Sequence, residues 1–119
     1  MFDHIGLRVE NLGRSVEFYE AALAPLGYVL CSRDDASAGF GPPGEPALWL
    51  YASKDPRTPV HIALRARARG GVAEFHAAAL AAGGTSNGPA GLRADYGPRY
   101  YAAFVLDPDG NNLEAVCMS

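Results

Sequence analysis

Three side chains in this sequence are suited to holding a divalent cation while leaving positions on it free: His4, His61 and Glu114. Two imidazole nitrogens and a carboxylate match the preferences of Fe(II), Mn(II), Zn(II), Ni(II) or Co(II). A three-ligand set leaves room for water and substrate, which a catalytic metal needs and a structural one does not. The histidines are related by an internal repeat. Residues 3–27, moved along by 57 positions, fall on residues 60–84, and twelve of the 25 aligned pairs are identical, His4 with His61 among them. The chain holds only three histidines, so two of them occupy duplicate positions. The third, His76, aligns with Tyr19 and reads as a surface or packing residue on a helix.

The elements that must position these groups follow from periodicity. Residues 3–9 alternate, with Ile5, Leu7 and Val9 on one face and His4, Gly6 and Arg8 on the other, as a half-buried strand requires. Helical spacing takes over in Val16, Tyr19, Leu23 and Leu26, and Pro25 and Gly27 stop it. Strands are expected at 28–33, around 38–41 and at 47–52. The second half repeats the order: a strand at 61–65, then a helix carrying Val72, Phe75, Ala79 and Leu80 that ends at Gly83 and Gly84. The Gly-, Pro- and Asn-rich stretch 85–98 is expected to carry one short strand. Strands at 100–106 and 111–117 flank a turn from Asp107 to Gly110, with Pro108 and Gly110 at the positions that a tight hairpin favours.

Alternation then becomes geometry. Ile62 and Leu64 belong to the helix-packed face, so His61 points the other way; Leu113, Ala115 and Cys117 likewise leave Glu114 on the opposite face. A carboxylate in the middle of an apolar strand is costly unless it is paired or binds a cation. The expected architecture is α+β: two β-α-β-β-β modules, about 1–53 and about 59–119, with mixed sheets forming a cupped, half-open barrel around a metal or ligand cavity in one domain of 119 residues. That length buries about two-thirds of the unfolded surface in a single core.

Composition removes several function classes. A net charge of −3 without a basic cluster argues against nucleic acid, because Arg65, Arg67 and Arg69 are too short a run to track phosphates. No window reaches the roughly 18 apolar residues of a membrane span, and the start of the chain lacks a secretory leader. Cys31 and Cys117 form no CxxC pair and are expected as free thiols in a reducing cytoplasm. One Lys against nine Arg suggests a GC-rich bacterial genome.

The segments DHIGLRVENLGRSVEFYEAAL, HIALR and FVLDPDGNNLEAV resemble the vicinal oxygen chelate superfamily, which includes glyoxalases, extradiol dioxygenases, fosfomycin thiol transferases and bleomycin-resistance proteins. The resemblance implies paired β-α-β-β-β modules, a homodimer with cavities between modules, a small-molecule substrate and one divalent metal ion. Metal ligands would come from the first strand of each module and from the last strands, and here those positions hold His4, His61 and Glu114. Where glyoxalase I enzymes place a further Glu in the first module, this chain has Trp49, so the expected chemistry leans toward dioxygenase, lyase or thiol transferase. Glu114 and Tyr101 are the expected catalytic groups, with Tyr96 and Tyr100 as the other tyrosines able to face the site. Trp49 and Tyr51 could stack on a planar substrate, and Arg93 could reach an anionic one. The alternative is a metal-free protein that sequesters a small molecule, as bleomycin-resistance proteins do.

Overall fold

Alternation gives way to helical spacing at Asn11, and the backbone turns there. In the computed structural model, which describes residues 1–119, strand β1 (Ile5–Val9) leads into helix α1 (Leu12–Leu23), and the Asn11 side chain accepts the Arg14 backbone N–H at 3.0 Å. Pro25 lies in a single 3₁₀ turn, Ala24–Leu26, and Gly27 closes it at a φ of 86°, a left-handed conformation that suits glycine. Strands β2 (Val29–Arg33), β3 (Ser37–Gly41) and β4 (Leu48–Ala52) complete the first module. The second repeats the order with β5 (His61–Arg65), α2 (Arg69–Ala81), β6 (Thr85–Leu92), β7 (Tyr101–Leu106) and β8 (Asn112–Cys117). The sheets run β1-β4-β3-β2 and β5-β8-β7-β6, each with its first and last strands parallel and the other pairings antiparallel. The expected α+β architecture of two β-α-β-β-β modules is the one observed. No helix is long and apolar enough to cross a membrane.

One apolar core joins the modules. Leu7, Val9, Phe40 and Leu50 of the first sheet, Val105, Leu113 and Ala115 of the second, and Phe18, Tyr19, Val72 and Phe75 of the helices belong to the same buried cluster. Each such Val, Leu or Phe side chain contributes about 1.5–3 kcal/mol on burial. The helices pack on each other, and Gly84 makes that possible: a Cβ there would lie 2.7 Å from the Phe18 ring. Each sheet therefore spends one face on the helices and keeps the other face free.

The turn from Asp107 to Gly110 does more than join β7 to β8. The Asp107 carboxylate accepts the Tyr19 hydroxyl at 2.5 Å and the backbone and side-chain amides of Asn111 at 2.8 and 2.9 Å. Asp109 accepts the Glu10 backbone N–H at 3.0 Å and pairs with Arg57. These contacts tie the second module to α1 and to the residue pair ahead of it. Burial, reinforced by the adjacent Asp107 charge, pushes the Tyr19 phenol well above its ordinary range, so it stays a donor.

The stretch 85–98 departs from expectation. Residues 85–92 form β6, the longest strand, with register shifts on both sides of Gly88. Gly88 and Pro89 read as loop residues, yet β6 is an edge strand, where a missing N–H and a bulge are tolerated.

Candidate metal and substrate site

The site is built on the free face of the second sheet. In the parallel register of β5 with β8, Ile62 pairs with Leu113 and Ala63 with Glu114, so the helix-packed residues alternate with His61, Glu114 and Val116 on the other face. Glu114 is only 2% exposed, yet every buried side-chain polar atom in the chain has a hydrogen-bond partner. One carboxylate oxygen, Oε1, lies 3.0 Å from His61 Nε2. The other, Oε2, accepts the Tyr100 hydroxyl at 2.5 Å.

Proton bookkeeping at His61 is informative. Its Nδ1 lies 2.9 Å from the Asn112 carbonyl oxygen, which can only accept, so Nδ1 carries a hydrogen. In the neutral imidazole this leaves a lone pair on Nε2 facing a carboxylate oxygen that also offers a lone pair. Two such atoms 3.0 Å apart call for a shared cation, either a proton or a metal ion. A ring oriented through Nδ1 by a backbone carbonyl is also how metal-binding histidines are held. The donor set therefore fits a divalent cation on the Nε2 and Oε1 side.

Tyr100 supports the carboxylate from behind. Its hydroxyl is pushed up to about 12, chiefly by the hydrogen bond to Glu114, with burial and the carboxylate charge adding to it. At neutral pH it keeps its proton, donates a hydrogen bond to Glu114 and does not act as a base. Tyr96 meets the Tyr100 ring edge-on at 5.2 Å. Phe104, paired with Glu114 across β7 and β8, stacks against His61 with 6.3 Å between ring centroids. The Arg93 guanidinium lies 5.2 Å from the Phe104 centroid and donates to the carbonyls of Gly91 and Pro89 at 2.9 and 2.7 Å.

Other expected site residues lie elsewhere. Tyr101, expected as a catalytic group, points to the opposite face, where the Arg69 guanidinium of α2 covers its ring at 4.9 Å. The correction follows from strand alternation: Tyr100 and Tyr101 are neighbours, so only one can face Glu114. His4 is 55% exposed at its side chain and bonds through Nδ1 to Asp3 at 2.7 Å. It stands beside a cavity of about 290 Å³ between the modules, with Ile5, Leu23, Phe40, Leu48 and Ile62 in its walls. Within a single chain no three His, Cys, Asp or Glu side chains gather into a metal site, so two of the three expected ligands are brought together.

Trp49 and Tyr51 occupy the free face of the first sheet, 6.5 Å apart and within 17° of parallel. Glycines make room for them: a Cβ on Gly39 would lie 2.9 Å from the Trp49 ring, and one on Gly6 would lie 2.9 Å from Tyr51. His76 bonds Ser86 at 2.9 Å, and both cysteines are free, as the sequence reading expects. Sequence reasoning missed Phe104 and Asn112. The first could have been found from its alternation with Tyr100, which stands just ahead of β7; the second acts through its backbone carbonyl, which no residue type announces.

The sequence profile of the Glyoxalase/Bleomycin resistance protein/Dioxygenase superfamily matches residues 1–115. No curated protein matches the chain. Among solved structures, a glyoxalase/bleomycin resistance protein from Albidiferax ferrireducens superposes with a TM-score of 0.86 at 28% identity, covering 100% of this chain and 99% of that one. A glyoxalase I mutant from Zea mays is similar with a TM-score of 0.74 at 25% identity, covering 96% of this chain and 44% of that one. A glyoxalase-related enzyme from Fulvimarina pelagi, at 22% identity and a TM-score of 0.74, shares the fold over 95% of this chain and 84% of that one.

Proposed function

The chain belongs to the glyoxalase/bleomycin resistance protein/dioxygenase superfamily, and on that footing we propose that it is a small metal-dependent enzyme whose site is completed by a second copy of itself. His61 and Glu114 of one chain would hold a divalent ion together with His4 of the other. The ion, Fe, Mn, Zn, Ni or Co by its donor set, would act as a Lewis acid and a template for an oxygen-bearing substrate. The observation that carries this reading is the pair His61 Nε2 and Glu114 Oε1, 3.0 Å apart with a single proton accounted for, on Nδ1. The need for a second copy follows from His4, which shares the expected ligand position of His61 but bonds only Asp3 in its own chain.

The remaining roles follow from placement. Asn112 fixes the tautomer and tilt of His61, and Tyr100 holds the Glu114 carboxylate so that Oε1 is the oxygen left for the cation. Trp49 and Tyr51 of the first sheet offer a flat surface for a planar substrate. With Trp49 where a carboxylate would serve as a base, chemistry of the dioxygenase, lyase or thiol-transferase kind is favoured over isomerisation.

The test is metal analysis of protein purified without chelator. About one equivalent per chain, lost in His61→Ala and in Glu114→Ala, supports the enzyme. A metal-free protein that binds a planar ligand through Trp49 and Tyr51 would instead establish the sequestering role.

A further inference from the structure

The cavity between the modules plays no part in holding a cation. Its volume is about 290 Å³, and Ile5, Leu23, Phe40, Leu48, Ile62 and Leu64 form its walls. These side chains belong to the buried core or pack against it, on the helix-facing side of the sheets. His61 and Glu114 occupy the other face of β5 and β8, so the cavity is separate from that pair. Strand register shows why the space is there. Phe40 pairs with Leu48 as Val105 pairs with Leu113, which places Pro42 where the second module has Asp107. Asp107 binds the Tyr19 hydroxyl and the Asn111 amides and closes its end of the core. Pro42 has no side-chain donor or acceptor with which to do the same. Gly41 beside it cannot be larger, because a Cβ there would collide with the Glu45 carbonyl oxygen. One end of the first module is left open and apolar.

Size and polarity together describe an occupant. An apolar cavity of roughly 150 Å³ takes up benzene and stays free of water. At about 290 Å³ this one is close to double that, which suits a chain of about eight carbons. Its polar groups are gathered at the rim. The Asp3 side chain is 95% exposed there, and within the chain only its Oδ1 is used, by His4. Oδ2 is left to accept a hydrogen bond from an entering molecule. The same carboxylate repels an anionic head group. Apolar walls with a few polar groups to fix orientation are the usual make-up of a small-molecule pocket.

We propose that this cavity is a second binding site, for a neutral medium-chain alcohol whose chain lies against Phe40, Leu48 and Ile62 and whose hydroxyl meets Asp3. Burial of the chain supplies the affinity, and the carboxylate at the mouth selects the head group. Phe2, 72% exposed, stands at the same rim and offers its ring to cover the occupied cavity.

Calorimetric titration of the full chain with 1-pentanol, 1-hexanol, 1-heptanol and 1-octanol tests this, with methyl NMR to locate the ligand. Affinity is expected to rise about fourfold with each added methylene. The methyl resonances of Ile5, Leu48, Ile62 and Leu64 should shift, while those of Val116, on the free face of β8, should not. Octanoate is expected to bind about fivefold more weakly than 1-octanol, and Asp3→Asn should narrow that gap. Leu64→Phe fills the cavity from a half-buried wall position and should remove 1-octanol binding; Ile62→Phe fills it from another wall should the first variant disturb the fold. No binding of 1-octanol, affinities indifferent to chain length, or binding that survives both filled variants would overturn the site. Octanoate bound as tightly as 1-octanol would overturn the placing of the hydroxyl at Asp3. An affinity for 1-octanol that falls as protein concentration rises would assign the cavity to a second copy of the chain and overturn the proposal. All of these results leave the reading of His61 and Glu114 standing.

Discussion

In the first module Gly6 pairs with Trp49, and in the second the duplicate residue Ala63 pairs with Glu114. Across the neighbouring strand, Gly39 faces Trp49 where Phe104 faces Glu114. The same backbone positions thus carry a glycine and an indole in one sheet, a phenyl ring and a carboxylate in the other. The exchange is physically coupled. A ring lying flat on a sheet needs an empty neighbour, which Gly39 provides for Trp49. With the bulk moved to β7 in the second module, the β8 position is free for a small charged group that Phe104 and His61 flank. A buried carboxylate is tolerated only when its oxygens are satisfied, and only the second module supplies the donors: Tyr100 precedes β7, with no counterpart in the short β2–β3 connection. The paired imidazole and carboxylate lie on one sheet and a pair of stacked aromatic rings on the other.

The largest effect expected from breaking this comparison is on metal content. Glu114→Ala should lower bound metal from about one equivalent to below about a tenth, because one ligand and the partner of His61 go together. Trp49→Phe, at the equivalent position of the other sheet, should leave metal content unchanged. Elemental analysis of the two variants side by side distinguishes the positions; parallel losses would make the comparison meaningless.

Next in size is the link that holds the modules in register. Tyr19→Phe removes the donor to buried Asp107 and is expected to cost about 1–3 kcal/mol, read as a fall in Tm of several degrees with metal content preserved. A smaller effect is expected at Gly39→Ala, where the new methyl must displace the edge of Trp49; about 1 kcal/mol is the scale of such overpacking, read by chemical denaturation and by a change in Trp49 fluorescence.

The smallest effect is a titration. The Tyr100 hydroxyl titrates at about 12 in the folded chain against an ordinary value of 10.0, so folding favours its neutral form. The stabilisation it contributes is complete below about pH 10 and fades as pH climbs toward 12. Ultraviolet titration should show a late tyrosinate step in the wild type that is diminished in Tyr100→Phe.

Much of this was legible in the residues themselves. The repeat located both modules, and period-2 alternation put His61 and Glu114 on the face away from the helices, as observed. What alternation could not supply was phase where the strand boundary was uncertain: a start at Tyr100 or Tyr101 looks alike in a YYAAFVL run, and only the pairing of Phe104 with Glu114 resolves it. The edge strand β6 was hidden because Gly88 and Pro89 signal a loop unless the strand is known to lie at a sheet edge. The relation of the two free faces depends on how the helices pack, and no local pattern encodes that. His4 illustrates it: the repeat aligns it with His61, the first residue of β5, yet it lies just ahead of β1 and within one chain its partner is Asp3.

A mixed dimer tests the shared site most directly. His4→Ala and Glu114→Ala chains, carrying different tags and purified as the heterodimer after co-expression, leave one intact set of His4, His61 and Glu114 only where the ligands come from two chains. The account predicts about one metal ion per heterodimer, against none in either variant homodimer. A heterodimer as empty as its parents would contradict it.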